Sequence, residues 1–378
     1  MARIKVLEVV EAAAGGVMRH VFQIAEHIDK DEFDVTVAIS PARMVHPERD
    51  LRRLRDLDAR VEMVPMLRRP APVSDLAALR RLVRLMRREK YDVVHAHSSK
   101  AGFLGRLAAR RAGIERVFYT PHAFAFQCGG AVGWMYRQLE RIGAIFGGAI
   151  VAVSESEREL VLKAGIVRPG RVRVIRNAIE APPLPTPEDG RQAREKLGLP
   201  QGAPVVGSVG RLAPQKGLGY LVRAAAHVCG ERDGVRFVLI GGGPLEPRLR
   251  GLAERLGIAH RVVFAGHRDD AADLYAAMDI YVQASLWEGL PYALLDAMGR
   301  GLPAVATDLP GNSDVVKGGA TGLLVAPRDP AALAGAILDL LDNGEERREL
   351  GDAARDLVLR EHNAAGFIAS VEALYRGD

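Results

Sequence analysis

The segment DVVHAHSSKAGFLGRLAARRAGIERVFYTP, residues 92–121, decides the fold. It opens on a short β-branched run, continues through an amphipathic stretch, and closes on a second β-rich run. An apolar strand, a helical crossover and another apolar strand make a βαβ unit, which requires parallel strands covered by helices. The same alternation extends outward. Upstream, IKVLEVV is followed by GGVMRHVFQIAEHI and DVTVAI; downstream, AIVAVS is followed by ESERELVLKAG and VRVIRNAI. It restarts after APPLPTPEDG, residues 181–190, with PVVGSVG, GLGYLVRAAAHVC, RFVLIGGGP and further pairs. Two doubly wound α/β domains are therefore expected: residues 1–180, an extended Pro-rich linker at 181–190, and residues 191–361. A last helix, residues 362–378, is expected to return to the first domain. In such sheets ligands collect beyond the carboxyl ends of the strands, so chemistry is sought there.

The totals support this division. The chain has 378 residues, 48% apolar and 26% charged, which suits two globular domains. Its longest apolar run, IGAIFGGAIVAV, is too short and glycine-rich to span a bilayer. The amino-terminal residues show no signal-peptide pattern, and Cys128 and Cys229 stand far apart. Both features predict a cytoplasmic protein without a disulfide framework or a cysteine-based zinc site. The net charge of +5 divides into +10 through Glu180 and −5 beyond it. No nucleic-acid-binding motif accompanies the basic half, so a nucleic-acid partner is not expected. An anionic membrane surface or a phosphorylated acceptor suits that charge.

Within VGRLAPQKGLGYLV, Arg211 follows a strand and Lys216 precedes a helix. Two cations five residues apart beside a helix amino terminus suit a diphosphate. The spacing is not that of a P-loop. VLIGGGPLEP lacks the third glycine of a dinucleotide fingerprint, Glu246 standing in its place, so Gly241–Gly243 read as a tight turn and hydride chemistry is disfavoured. In WEGLPYALLDAMGRGLP, Pro291 suits the first helical position. Glu288 then hangs over the helix end, and Asp296 follows Tyr292 on one face. In LPGNSD, Asn312 reads as a helix cap. Taken singly, each of these residues also fits an ordinary surface or turn position.

Together they resemble glycosyltransferase family 4, a retaining GT-B family that uses nucleotide-sugar donors. Arg211, Lys216, EGLPYALLDAMGRGLPAVAT and PGN occur in the family's order, and AAAGGVMRHV, DVVHAHSSKAG, TPHAFAF and AVSE extend the similarity over nearly the whole chain. The resemblance implies that Arg211 and Lys216 hold the donor diphosphate and that Glu288 contacts the donor sugar. It places the ribose contact on Asp296, where the family usually has Glu; the shorter side chain puts the direct geometry in question. It also implies a sugar contact at His122 and a close backbone approach at Gly15 and Gly16. Gly242, Gly289, Leu290 and Pro291 are expected to line the donor site, and Arg268 to meet the nucleotide base. His95 and His97 alternate on one strand and so point the same way; His97 is a candidate acceptor contact, and Lys100, at a helix start, a candidate for an acceptor phosphate. No metal or other cofactor is expected, because cations and helix ends already offset the diphosphate charge.

The expected activity is metal-independent sugar transfer from a nucleotide-diphosphate donor, uridine preferred to guanosine, to a glycan or lipid-linked acceptor hydroxyl. Domain closure would exclude water. An epimerase or hydrolase of the same architecture and a nonenzymatic nucleotide-sugar-binding protein are the alternatives. The basic segment SDLAALRRLVRLMRREK predicts a helix with Leu76, Leu79, Val83 and Met86 on its buried stripe and Leu82 and Leu85 off it. Its arginines suit peripheral attachment at the inner face of the membrane.

Overall fold

The computed structural model describes residues 3–67 and 69–378. The chain forms two compact units: Met1–Asn177 with Ala364–Asp378, and Ala178–Asn363. The first ends three residues before the expected boundary at 180, and the second extends to 363 rather than 361.

The first unit is built on seven parallel strands: β1 (Ile4–Val10), β2 (Phe33–Ile39), β3 (Arg60–Met63), β4 (Val93–His97), β5 (Arg116–Thr120), β6 (Ala149–Ala152) and β7 (Val172–Val174). Their order is β3-β2-β1-β4-β5-β6-β7, so the winding reverses between β1 and β4. Helices cover both faces, which is why β1 is almost continuously apolar: Val6, Leu7, Val9 and Val10 are fully buried. Glu8 interrupts that run, equally buried, with its backbone opposite His95 of β4. The carboxy-terminal helix Ala364–Arg376 belongs to this unit and buries Phe367, Val371, Leu374 and Tyr375.

The basic helix spans Pro72–Glu89 but turns a different face inward from the one expected. Ala78, Leu79, Leu82, Leu85 and Met86 are buried, whereas Leu76 is exposed and Val83 only half-buried. The helix packs against Ser99–Ala112, and Leu82 and Leu85 join one core cluster with Leu104 and Ala108 of that helix and with Leu7, Val9 and Val94 of the sheet. A wider stripe than one apolar residue per turn is what a helix pressed between a sheet and another helix requires.

The second unit has six parallel strands: β8 (Val205–Val209), β9 (Arg236–Ile240), β10 (Val262–Gly266), β11 (Ile280–Gln283), β12 (Ala304–Thr307) and β13 (Leu323–Val325). Their order is β10-β9-β8-β11-β12-β13, and the reversal lies between β8 and β11. The expected linker is extended only in part. From Pro187 it is helical, as Pro187–Lys196, because Thr186 and Asp189 form a reciprocal capping box and Pro187 occupies the first turn.

Candidate active site

In the second unit the two strands that flank the reversal deliver an ion pair. Lys216 ends the short 3₁₀ turn Pro214–Lys216 after β8, and Glu288 lies in the loop after β11. Lys216 Nζ lies 2.6 Å from Glu288 Oε1. Ser285 Oγ donates to the same oxygen at 2.6 Å, Gln283 Nε2 donates at 3.0 Å, and Gln215 Nε2 reaches Oε2 at 3.3 Å. Glu288 is only 5% exposed, so these donors replace the water its carboxylate has lost. An ammonium has three N–H groups; Glu288 takes one and leaves two for a ligand's oxygens. Gly217 lets the two loops meet: it adopts a left-handed φ of 60°, and a Cβ there would stand 2.0 Å from the Ala284 carbonyl. Arg211 opens the same loop, exposed, and a small cavity lies among Gly210, Lys216, Gln283 and Ser285.

Around this pair the turns are tighter than expected. Gly289, Leu290 and Pro291 are buried, and Pro291 is the cap of the helix Tyr292–Gly299 rather than its first residue. Asp296, half-buried on that helix, has Oδ1 3.6 Å from Arg300 Nη1. Asn312 does not cap the next helix; Gly311 does, while Asn312 Nδ2 donates to the Thr307 carbonyl at 2.9 Å. The side chain of Asn312 is fully enclosed, and its Nδ2 is satisfied inward by Thr307, while Oδ1 has no partner among the described residues. A Cβ on Gly311 would lie 2.2 Å from the Gly289 carbonyl, so the two turns are in contact. Gly242 accepts from Leu212 N at 3.0 Å, beside Arg211. Arg268 makes two 2.7 Å bonds to Asp270, which fix its guanidinium.

The first unit holds a second constellation, also at the strands beside the reversal. His95 and His97 do share a face of β4, with ring centroids 4.3 Å apart. His97 Nε2 is 2.5 Å from Glu8 Oε2, and His97 Nδ1 is 3.0 Å from His122 Nε2. Tyr375 Oη donates to Glu8 Oε1 at 2.6 Å, while His95 lies 2.7 Å from Tyr375 Oη and 2.7 Å from Thr120 Oγ1. Burial pulls the pKa of His20 and His97 down to about 3 and those of His95 and His122 well below the usual imidazole range, so all four are neutral near pH 7. With a carboxylate at Glu8, one arrangement of protons satisfies every bond. Thr120 donates to His95, His95 to Tyr375, Tyr375 to Glu8, His97 to Glu8, and His122 through Nε2–H to His97. His122 Nδ1 then carries the lone pair.

The backbone at this point is strained. His122 and Ala123 have φ of 56° and 100°, unusual for two consecutive non-glycine residues. Glu157 helps to hold them: its carboxylate accepts from Ala123 N at 2.9 Å and Val153 N at 2.8 Å. Gly15 and Gly16 are exposed at the start of the helix Gly15–His27, and a Cβ on Gly15 would meet nothing within 4 Å. Lys100, by contrast, is committed within the protein, 2.7 Å from Asp75 Oδ1 and 2.7 Å from the Arg69 carbonyl.

Sequence reasoning missed Glu8, His20, Glu157, Gln283, Ser285 and Tyr375. Glu8 left a signal: an acid inside a strand destined for burial needs a partner. The others stand at ordinary positions until the chain folds. Two sets in this unit could hold a metal ion, His20 with His97 and the half-buried His122, and the fully buried Glu8 with His95 and His97. Both draw on His97, whose two ring nitrogens face Glu8 and His122.

Two doubly wound units, with a half-buried Lys–Glu pair in one and a strained histidine turn in the other, have the architecture of a GT-B glycosyltransferase. Residues 15–178 match the family described as Glycosyl transferase 4-like domain, and residues 189–357 match Glycosyl transferases group 1. The chain is 31% identical to the UDP-Gal:alpha-D-GlcNAc-diphosphoundecaprenol alpha-1,3-galactosyltransferase of Escherichia coli, over 95% of this chain and 93% of that one. It is 33% identical to the D-inositol 3-phosphate glycosyltransferase of Acidothermus cellulolyticus, over 92% and 83%. HepE from Anabaena, crystallised with UDP and glucose, shares the fold with a TM-score of 0.86 at 22% identity, covering all of both chains. The protein belongs to glycosyltransferase family 4.

Proposed function

We propose that this glycosyltransferase is retaining and metal-independent, moving a hexose from a uridine-diphosphate sugar to a glycan or lipid-linked acceptor hydroxyl. The observation that carries the reading is the Lys216–Glu288 pair at the reversal of the second sheet, with Arg211 on the same loop. Lys216 and Arg211 neutralise charge that develops on the departing diphosphate, the point at which preorganised cations stabilise most. Glu288 holds the Lys216 ammonium in place and offers Oε2 to a sugar hydroxyl. Asp296 serves the ribose and Arg268 the base, the latter held by Asp270.

In the first unit His122 meets the donor sugar, with its lone-pair nitrogen set by the bond to His97. The open space at Gly15 admits the donor close to the backbone. The acceptor hydroxyl attacks on the face from which the diphosphate leaves, and a leaving phosphate oxygen takes its proton, so no separate base is needed. Lys100 would have to exchange Asp75 for an acceptor phosphate. The engagement of both His97 nitrogens supports a reaction that needs no metal. The name of the E. coli relative supports uridine and a polyprenyl-diphosphate-linked acceptor. The reading also includes peripheral attachment at the membrane, where such an acceptor resides; among the described residues no helix is long and apolar enough to cross one.

The test is product analysis with a panel of UDP- and GDP-sugars and polyprenyl-diphosphate-linked saccharides, with and without EDTA. Expected is an α-linked product from an α-linked UDP-sugar, unaffected by the chelator. An inverted anomer, an EDTA-sensitive rate, or isomerised nucleotide sugar formed without acceptor would overturn the reading.

A further inference from the structure

The helix Gly130–Ile145 is inside out. Its large exposed side chains are Val132, Trp134, Met135, Leu139, Ile142 and Ile145, with Trp134 66% and Ile145 69% exposed. No exposed residue of this helix is polar or charged. Its one acid, Glu140, points inward, accepting from Tyr119 Oη at 2.8 Å and facing Arg106 Nη2 at 3.3 Å. Its two arginines are also turned aside: Arg137 and Arg141 donate to the Ala164 carbonyl. A surface helix ordinarily buries its apolar stripe and shows its charges. Here the inward face includes Gly133, Gly143 and Ala144, and the bulky residues are left outside.

The exposed side chains run the length of the helix, about 24 Å at the rise of an α-helix. A contiguous apolar surface of this kind marks an interaction site rather than ordinary exposure. What borders it identifies the partner. At the carboxyl end Arg110 Nη1 donates to the Ile145 carbonyl at 2.9 Å, and Arg87 Nη2 donates to the Arg111 carbonyl at 2.8 Å. Arg87, Arg110 and Arg111 are all exposed, so the ridge ends in a cationic margin. An apolar helix face carrying a tryptophan, without an outward acid and flanked by arginines, matches a lipid–water interface with anionic headgroups.

We propose that the outer face of this helix docks the protein on an anionic bilayer, its apolar side chains entering the headgroup–acyl boundary and the three arginines meeting phosphates. The basic helix Pro72–Glu89, which the sequence singles out for this role, spends Leu79, Leu82, Leu85 and Met86 on the core and leaves only Val73 and Leu76 as large exposed apolar side chains beside its charges. The proposal deepens the reading of a lipid-linked acceptor, and its test requires no turnover.

Full-length protein is sedimented with vesicles of phosphatidylcholine, with and without phosphatidylglycerol. Strong binding to the phosphatidylglycerol vesicles, weakened by salt, is expected, together with a blue-shifted Trp134 emission assigned by difference from Trp134→Phe. The double variant Trp134→Ser, Ile142→Ser should bind at least about tenfold more weakly, while keeping its melting temperature and the stabilisation it gains from UDP. Wild type that stays in the supernatant, or a variant that binds as wild type does, overturns the proposal. So does a variant that loses self-association in sedimentation velocity while keeping vesicle binding, which would make the face a contact between copies. UDP stabilisation without vesicle binding would leave the donor-site reading standing and remove this one; vesicle binding without UDP stabilisation would do the reverse.

Discussion

Among the described residues Lys216 pairs with Glu288, and the proposed function gives it a different task, which makes its replacement informative. Lys216→Ala should lower turnover by roughly a hundredfold or more, the scale expected when a donor to a leaving oxyanion is removed. The fold should survive, because Ser285, Gln283 and Gln215 still satisfy Glu288. Parallel kinetics and thermal melting check both halves; wild-type rates would remove Lys216 from the site. Glu8→Gln probes the other unit. An amide accepts at only one of the two positions where the carboxylate accepted. With its nitrogen toward His97, that imidazole turns its proton to Nδ1 and His122 can no longer donate to it; with its nitrogen toward Tyr375, the tautomer exchange falls on His95. A fall in kcat of at least about tenfold is expected, with the KM for donor little changed. Nitrogen NMR of the histidines would show the tautomer exchange, and an unchanged spectrum would disprove it.

At the scale of elements, the contact between the loops after β8 and β11 depends on a missing side chain. Gly217→Ala should cost about 1–3 kcal/mol for the left-handed backbone, and more for the clash with the Ala284 carbonyl. It should also separate Lys216 from Glu288 and so depress donor binding together with stability. Calorimetry with UDP measures both; an alanine variant with native affinity would show that the close approach is dispensable. Elements are also where the sequence was most and least legible. Strand runs such as DVVHAH and PVVGSVG announced themselves, because parallel strands covered on both faces must be apolar throughout. The helix at Pro187 hid inside a proline-rich segment, its capping box spelled by Thr186 and Asp189 rather than by the usual Glu or Gln. Leu82 and Leu85 went astray for another reason: periodicity gives a helix one buried direction, and this helix has two neighbours. Arg211, Lys216 and Glu288 could be read from motif order, whereas Gln283, Ser285 and Glu8 acquire meaning only through strand register.

For the whole molecule, the buried imidazoles set the response to acid. In an unfolded chain they titrate near 6.5, whereas burial holds His20 and His97 at about 3. Between those values the unfolded chain binds protons that the native one refuses, so stability falls as pH drops from about 6.5 toward 3. Each imidazole contributes up to about 1.4 kcal/mol per pH unit. Glu8 acts in the opposite sense: burial raises its pKa, so its contribution declines as pH rises above the usual carboxylate range. Glu140, likewise raised by burial, acts as Glu8 does; four imidazoles outweigh two carboxyls, and the urea midpoint should fall steadily below about pH 6. A midpoint independent of pH would contradict the buried neutral cluster.

The carboxy-terminal helix supplies Tyr375 to Glu8, a bond between residues 367 positions apart. β1 therefore leaves the ribosome long before the helix Ala364–Arg376, and the histidine network waits in the interval for the Tyr375 hydroxyl. A chain that stops before Ala364 can complete the second unit, an uninterrupted insertion at Ala178–Asn363, while the first remains unfinished. A polypeptide that stops before Tyr375 is left without the step that closes the network.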